Sequence, residues 1–308
     1  MRKKAWLFLG CLIVFSAAGM LLRALELRTA LDISTMLMDS VPASWLLLAL
    51  SAAGLVLMGV LARKGTETEL PPSYNRCFCG LGMLIAGGVS LVLTVVGALF
   101  CLRDRGSDWS MRIFLGVLSL LAFLGGAAWL ALGLDGWRKK KEDSFLSAVL
   151  PVFFCGLFLI VFYKNYAQKP ALLYTLYPFL GLCAALSALH LIAGFAVKRV
   201  RPRNALFLCG AGSYLCLVSL VGVQEISFRL FLAAIALELA AHGVCLLLPH
   251  PPEPEPEPEK KEGEEAAADK PEEAAGDAAE AADGEAPKET AEAAPEAETA
   301  AEDEAKPE

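Results

Sequence analysis

Residues 145–163 read FLSAVLPVFFCGLFLIVFY, a stretch of 19 positions that contains no charged side chain. A helix that crosses about 30 Å of hydrocarbon needs about 20 mostly apolar residues, because each residue adds about 1.5 Å of rise. A transmembrane β-strand would instead alternate apolar and polar residues, and this run is continuously apolar. The stretch is therefore predicted to be a membrane-spanning helix.

Seven further stretches of the chain have the same character. Charged or turn-forming residues separate them, for example Arg63-Lys64-Gly65 and the basic run at 198–203. Eight such runs could not all be covered by so few polar residues, so the pattern disfavours a soluble helical core. The predicted fold is an all-α polytopic transmembrane bundle of eight spans, paired as four helical hairpins, at roughly 5–22, 43–62, 77–102, 112–134, 145–163, 172–197, 205–223 and 230–248.

The end of the chain has a different composition. Residues 251–308 contain no Val, Ile, Leu, Met, Phe, Trp, Tyr or Cys, and their 5 Lys against 22 Asp and Glu give a net charge of −17. Residues 1–250 carry 22 Lys and Arg against 12 Asp and Glu, a net charge of +10. A segment without apolar side chains cannot offset the entropy lost on ordering. The chain is therefore predicted to consist of a helical domain at 1–248 and a disordered acidic tail, rich in Pro, Glu and Ala, at 249–308.

The charge of this tail limits the partners that it can have. Negative charge is unfavourable near the anionic inner leaflet and near nucleic acid, so we expect no nucleic-acid binding. A basic cytoplasmic protein, or the basic loops of the chain itself, would be attracted to it. The alternative is a solubilising tether that has no partner, while the bundle itself contacts only the lipid bilayer.

Two features near the start of the chain are open to more than one interpretation. The first apolar run has a basic start and the small residues Ser16-Ala17-Ala18-Gly19, so it is either an uncleaved anchor, which we favour, or a signal peptide whose cleavage would leave seven spans. The segment 23–42 mixes apolar and charged residues. It is either a short helix in the outer interface or an extension of the first span.

The sequence contains none of the common motifs of soluble enzymes. There is no P-loop, no His-Glu-x-x-His motif and no Gly-x-Ser-x-Gly elbow. Among the nine cysteines, Cys77 and Cys79 are the only close pair, and they lack the second pair or histidines that a zinc site needs. We therefore expect no catalytic residues, no cofactor and no metal, and we expect that the protein is not an enzyme.

Three ionisable residues lie inside the apolar runs and form the candidate intramembrane polar site: Glu238, His242 and His190. A charged carboxylate in the middle of a span costs roughly 2.5–3.5 kcal/mol on insertion scales. His242 follows Glu238 by one helical turn on the same face, and His190 is predicted to lie at a similar depth. The group is either a proton relay or polar substrate contact, or a hydrogen-bonded pair that holds helices together.

Tyrosines and lysines cluster at the predicted outer ends of the fifth and sixth spans. They could bind an anionic headgroup, or they could form an interfacial belt with snorkelling lysines, which is the favoured interpretation. The cluster consists of Tyr163, Lys164, Asn165, Tyr166, Lys169, Tyr174 and Tyr177.

Part of the chain resembles a known group of proteins. The similar residues run from Ser144 to Arg203 and include LPVFFCGLFLIVFY at 150–163, Asn165 and Pro170 in the following loop, Tyr174, Tyr177, and LIAGFAV at 191–197. This region resembles multi-spanning membrane proteins of Firmicutes that carry no assigned function. The resemblance implies a bacterial cytoplasmic membrane as the location. It implies no activity and no site residues.

Two functional hypotheses follow from these features. The first is a membrane scaffold or interaction protein of otherwise unknown role that acts through its acidic tail. The second is a transporter or permease for a small molecule or lipid, whose cavity is enclosed by the fifth to eighth spans and contains the polar site.

The distribution of Lys and Arg predicts the orientation of the bundle. Loops on one side, including 138–141 and 198–203, carry 14 of these cations, and loops on the other side carry 8. Because cytoplasmic loops are enriched in Lys and Arg, both termini are predicted to be cytoplasmic. Labelling of single introduced cysteines in intact cells should find 138–141 protected and position 164 accessible. External labelling of the 138–141 loop would contradict this topology.

Overall fold

The computed structural model describes residues 2–29, 42–65, 74–78, 80–103, 109–138, 145–166, 172–223 and 225–248. Within these residues the chain is helical and contains no strand, so the all-α prediction is confirmed there. Seven of the helices are long enough and apolar enough to cross a membrane. The helices are α1 (Arg2–Thr29), α2 (Pro42–Gly65), α3 (Tyr74–Cys77), α4 (Leu81–Arg103), α5 (Trp109–Trp137), α6 (Phe145–Tyr166), α7 (Leu172–Ala196), α8 (Pro202–Ser219) and α9 (Ile226–Cys245).

Several predicted boundaries need correction. The first helix continues to Thr29, so residues 23–29 extend the first span, while residues 30–41 lie outside the described residues. The predicted third span at 77–102 is interrupted, because Gly80 adopts a φ of +142°, a backbone conformation that favours glycine. This interruption separates the short helix α3 from the membrane-length helix α4. The predicted acidic tail at 249–308 also lies outside the described residues.

The helices α4 to α9 form a closed ring in which each helix packs against the next and α9 returns to pack against α4. The hairpin of α1 and α2 packs on the outside of this ring, mainly against α8. Each of the four predicted hairpins is a pair of contacting helices: α1 with α2, α4 with α5, α6 with α7, and α8 with α9.

Aromatic side chains fill the centre of the closed ring that α4 to α9 form. Phe158 of α6 lies with its ring centroid 5.3 Å from that of Phe228 and 5.5 Å from that of Phe231, both on α9. Phe154 adds an edge-to-face contact with Phe231 at 5.4 Å, and Trp129 of α5 packs against Phe154 at 6.1 Å. All five side chains are buried. Edge-to-face pairs of this kind contribute roughly 0.5–1.5 kcal/mol beyond the area that they bury.

Small residues bring α4 and α5 into close contact. A Cβ atom at Gly87 would lie 2.8 Å from the backbone oxygen of Trp129, and one at Gly133 would lie 3.0 Å from the Cα of Leu84. Close backbone approach at glycine is a common way in which helices associate in lipid, where the hydrophobic effect does not drive them together. The glycine-rich sequence of the third predicted span is thus partly explained by this contact.

Among the long helices of the described residues, α8 alone is not one of the seven apolar candidates. It has 18 residues, and a helix of this number is about 27 Å long. It contacts α1, α2, α7 and α9, and most of its residues are buried. A helix that is covered by other helices meets little lipid, so it does not need a fully apolar surface.

We predict that Gly87→Ala destabilises the bundle and that Gly88→Ala does not. The first substitution inserts a methyl group 2.8 Å from a backbone oxygen, whereas the second meets nothing within 4 Å. Overpacking of this kind costs about 1–3 kcal/mol, whereas Gly→Ala in an open helical position is neutral or slightly favourable. Thermal unfolding of the purified variants in detergent measures the difference. Equal unfolding temperatures would show that the tight α4–α5 contact does not form.

Candidate functional site

The buried polar site lies on the second half of α9. Glu238 and His242 are four residues apart and have exposed fractions of 0% and 1%. Glu238 lies twelve residues after Ile226, about 18 Å along the helix, and therefore beyond the ring of Phe231. The aromatic centre thus separates this site from the end of the bundle where α9 begins.

Both ring nitrogens of His242 have hydrogen-bond partners. The Nδ1 atom lies 2.7 Å from the backbone oxygen of Glu238, and the Nε2 atom lies 2.7 Å from the hydroxyl oxygen of Tyr74. A backbone oxygen can only accept, so Nδ1 must carry the proton. In the neutral imidazole Nε2 is then the acceptor, and the Tyr74 hydroxyl donates to it. This arrangement ties α9 to the short helix α3, 168 residues away in the sequence.

The carboxyl group of Glu238 is in a different situation. Neither of its oxygens makes a hydrogen bond within the described part of the chain. The His242 Nδ1 atom is 3.7 Å from Oε2, which is too long for a hydrogen bond. The Ser90 hydroxyl of α4 lies close enough to the carboxyl to interact with it, although its hydrogen bond is donated to the backbone oxygen of Ala234 at 3.3 Å. The expected burial of Glu238 is found, and the expected bond between its side chain and a histidine is not.

Neighbouring helices support α9 on both sides of Glu238. Ser213 of α8 donates to the backbone oxygen of Ala236 at 2.8 Å, complementing the bond from Ser90 of α4. On the far side of His242, the ring of Phe78 lies 4.8 Å from the imidazole and packs against Phe195 of α7. The segment of α9 that carries Glu238 and His242 is therefore held by serine hydroxyls of α4 and α8 and by aromatic rings beyond His242.

His190 is not part of this site. Its side chain is exposed on α7, where it borders a shallow cavity with Ser187, Leu186 and Leu208. The prediction used depth along the helix, and depth does not determine which face of the helix a side chain occupies. In α7 the neighbouring residues Ala188 and Leu189 turn inward, whereas His190 faces outward. The structure therefore brings together Glu238 and His242 and excludes His190 from the predicted group.

The outward cluster of tyrosines and lysines is also divided. Asn165 and Tyr166 donate hydrogen bonds to the carboxylate of Glu225, which precedes α9. Lys164 lies over the ring of Phe114 with its nitrogen 4.5 Å from the ring centroid. Tyr177 faces inward from α7, and Lys169 lies outside the described residues. Because a carboxylate occupies the centre of the group, it is a poor receptor for an anion.

Sequence reasoning missed Tyr74 and Ser90. Tyr74 lies before the predicted third span, and Ser90 is one small polar residue in a glycine-rich helix. Both acquire their role from contacts with α9 that are distant in sequence, so no local pattern could have identified them. Among the described residues, no group of three or more His, Cys, Asp or Glu side chains could hold a metal ion. Cys79 of the predicted Cys77 pair lies outside them.

The fold and this interior site define a class of protein: an all-helical, multi-pass membrane protein with a buried polar group inside its helical bundle. Comparison with known proteins adds no further identification, since no family model, no curated protein and no solved structure matches the chain. The proposals below therefore depend on the geometry of the chain itself.

We predict that Tyr74→Phe destabilises the bundle, because it leaves the buried Nε2 atom of His242 without its donor. The loss of a partner for a buried polar atom costs about 1–3 kcal/mol. Tyr163→Phe is the matched control, since the side chain of Tyr163 is 62% exposed. Thermal unfolding in detergent should separate the two variants. If both behave like the parent protein, Tyr74 does not bind His242 in the folded protein.

Proposed function

We propose that the protein is a transporter or permease for a small molecule or lipid, and that the carboxyl group of Glu238 is the intramembrane group that binds the transported species or a coupled proton. The observation that supports this proposal is the combination of full burial with no hydrogen bond to either carboxyl oxygen. We propose no enzymatic activity for this site.

The energetic cost of this arrangement favours a functional role. A buried polar group without a partner costs free energy, and the cost is higher for a carboxyl group within a membrane. A carboxyl that only held helices together would be bonded to its neighbours, as Ser213 is bonded to α9. The carboxyl oxygens of Glu238 accept no hydrogen bond of this kind, although the Ser90 hydroxyl lies near them. Its unused bonding capacity is available to a proton or a ligand.

The surrounding groups are suited to moving a proton. The phenol of Tyr74, the imidazole of His242 and the carboxyl of Glu238 follow one another in space. The Tyr74 hydroxyl is hydrogen-bonded to Nε2 of His242 at 2.7 Å, and Nδ1 of His242 lies 3.7 Å from Oε2 of Glu238. A small rotation of the carboxyl or the imidazole would bring Nδ1 of His242 and Oε2 of Glu238 within hydrogen-bond distance. The imidazole can accept a proton on one nitrogen and release one from the other, so it can connect the two oxygen groups.

We further propose that α8 crosses the membrane together with the seven apolar helices, which makes eight spans. An even number of spans places both termini on the same side, and the excess of Lys and Arg favours the cytoplasmic side of a bacterial cell membrane. The protection of α8 by its four helical neighbours supports its inclusion, because a covered helix tolerates polar residues.

We predict that Glu238→Leu abolishes transport and does not destabilise the protein. Both nitrogens of His242 are bonded to groups other than the Glu238 side chain, so the substitution leaves no histidine atom unpaired. Removal of an unbonded buried carboxyl should raise stability by about 1–3 kcal/mol or leave it unchanged. Proteoliposomes that contain a pH-sensitive dye, tested with a panel of lipids and metabolites, measure coupled proton movement. Thermal unfolding measures stability.

Two control variants make this test specific. Glu238→Gln retains the shape of the side chain and removes its ionisation, so it should also abolish proton-coupled flux. His190→Gln alters the intramembrane histidine that lies outside the site, so it should leave flux unchanged. Loss of stability in Glu238→Leu, together with unchanged flux in Glu238→Gln, would show that the carboxyl is structural.

A second candidate function is the scaffold that acts through the acidic tail, and the specific observation in its favour is the net charge of −17 on residues 251–308. In this proposal a basic cytoplasmic protein binds the tail. Deletion of residues 249–308 distinguishes the two functions. A scaffold loses its partners in a pull-down from cell membranes, whereas a transporter retains its flux.

A further inference from the structure

A second buried polar cluster lies between the outer hairpin and the ring of helices. Arg23 and Glu26 of α1 form an ion pair, with exposed fractions of 1% and 4%. The Arg23 guanidinium lies 5.2 Å from the ring centroid of Tyr177 on α7. The Ser51 hydroxyl on α2 is 3.3 Å from the Tyr177 hydroxyl and 2.9 Å from the Tyr214 hydroxyl on α8. Four helices thus contribute to one cluster, and none of its members belongs to the Glu238 site.

A cavity of about 330 Å³ adjoins this cluster. Glu26, Ser44, Ser51 and Tyr177 supply its polar lining, and leucines, Trp45 and Ala52 supply the rest. Two of these leucines, Leu48 on α2 and Leu180 on α7, are exposed on the outside of the bundle. The cavity is therefore a groove between α2 and α7 with apolar walls on its lipid-facing side and a polar patch inside. We call it the α2–α7 groove.

The shape and position of the groove favour a molecule that reaches it from the bilayer. Exposed apolar side chains at its walls would contact lipid chains, so an alkyl chain can enter without crossing water. The polar patch requires that one end of the molecule form hydrogen bonds, because buried polar groups without partners are costly. An amphiphile with one alkyl chain satisfies both requirements.

The charges around the patch select the headgroup. Arg23 and Glu26 cancel each other, so the patch carries no net charge. A carboxylate or phosphate head would face the oxygens of Glu26, which line the groove, and an ammonium head that bound Glu26 would compete with the Arg23 guanidinium already paired with it. Like charges in contact repel each other and therefore weaken binding. A neutral hydroxyl avoids both penalties, since it can donate to Glu26 and accept from a tyrosine.

The three hydroxyls of the patch provide the donor. Tyr214, Ser51 and Tyr177 form a chain of two hydrogen bonds, and three hydroxyls carry three protons. When each hydroxyl donates to the next, the two hydrogen bonds use two of these three protons. With Tyr214 as the first donor, the proton of Tyr177 is left for a molecule in the groove.

We propose that the α2–α7 groove binds a single-chain amphiphile with a neutral hydroxyl headgroup, drawn from the bilayer, with its hydroxyl at Glu26 and Tyr177. This proposal depends on the geometry of the groove and does not require that the protein transport anything. Its test measures binding alone, so it can succeed or fail independently of the role of Glu238.

Photoaffinity labelling of the full-length protein tests the proposal. The protein is reconstituted in vesicles of phosphatidylethanolamine and phosphatidylglycerol and exposed to a dodecanol analogue that carries a diazirine. Labelled peptides are identified by mass spectrometry. We expect saturable labelling of α2 and α7 that unlabelled dodecanol competes away. Dodecanoate and dodecylamine should compete at least about tenfold less well, because the acid is repelled by the carboxylate of Glu26 and the amine must compete with Arg23 for it.

Matched variants locate the binding site. Ala52→Phe should block labelling, since Ala52 lines the groove and is exposed, so a larger side chain fills the groove without disturbing the core. Ala53→Phe should have no effect, because the neighbouring Ala53 is also exposed and does not line the groove. Tyr177→Phe removes one hydroxyl of the polar patch and leaves the apolar walls of the groove unchanged. It should therefore reduce the preference for the alcohol over the charged analogues.

Three results would overturn the proposal. The first is labelling that does not saturate and is spread over all lipid-facing helices, which would indicate ordinary contact with the bilayer. The second is labelling that Ala52→Phe leaves unchanged in a variant with the thermal stability of the parent. The third is equal competition by the alcohol, the acid and the amine, which would show that the polar patch does not recognise the headgroup.

Discussion

Interlocking phenylalanine side chains of α6 and α9 fill the centre of the ring of helices, and the packing of the rest of the bundle depends on this contact. In a bilayer the lipid chains are as apolar as the side chains, so helices gain little from the hydrophobic effect when they associate. Their association depends on how well their surfaces fit. Phe158 lies between Phe228 and Phe231, with centroid distances of 5.3 and 5.5 Å. These rings fill the space that a closed ring of helices would otherwise leave empty at its centre.

Large residues at the centre are balanced by small residues at the rim. The α4–α5 contact at Gly87 and Gly133 brings two backbones close together, and Gly181 of α7 does the same against the backbone of Cys216 on α8. A closed ring with a filled centre needs both kinds of contact. Wide spacing across the ring is set by phenylalanine, and close spacing around it is set by glycine.

The helices and the burial of Glu238 could be predicted from the sequence because each depends on local composition. An apolar run of 19 residues implies a span wherever it lies, and a lone carboxyl in such a run must face the protein interior. The exposure of His190 could not be predicted, since it depends on how α7 is rotated about its axis. The partner of His242 could not be predicted either. Tyr74 lies on the short helix α3, which Gly80 separates from α4, and its partner His242 is 168 residues away in the sequence.

The helix α8 lies between the two interior polar groups and contributes to each through adjacent residues. Ser213 donates to the backbone of α9 near Glu238, and Tyr214 binds Ser51 at the α2–α7 groove. Successive side chains on a helix point about 100° apart, so one helix can present a polar atom to each group. This arrangement gives a physical reason for the polar and small residues of α8, which its four neighbours shield from lipid. A shift of α8 along α9 would alter both sets of hydrogen bonds together, because both depend on the same backbone.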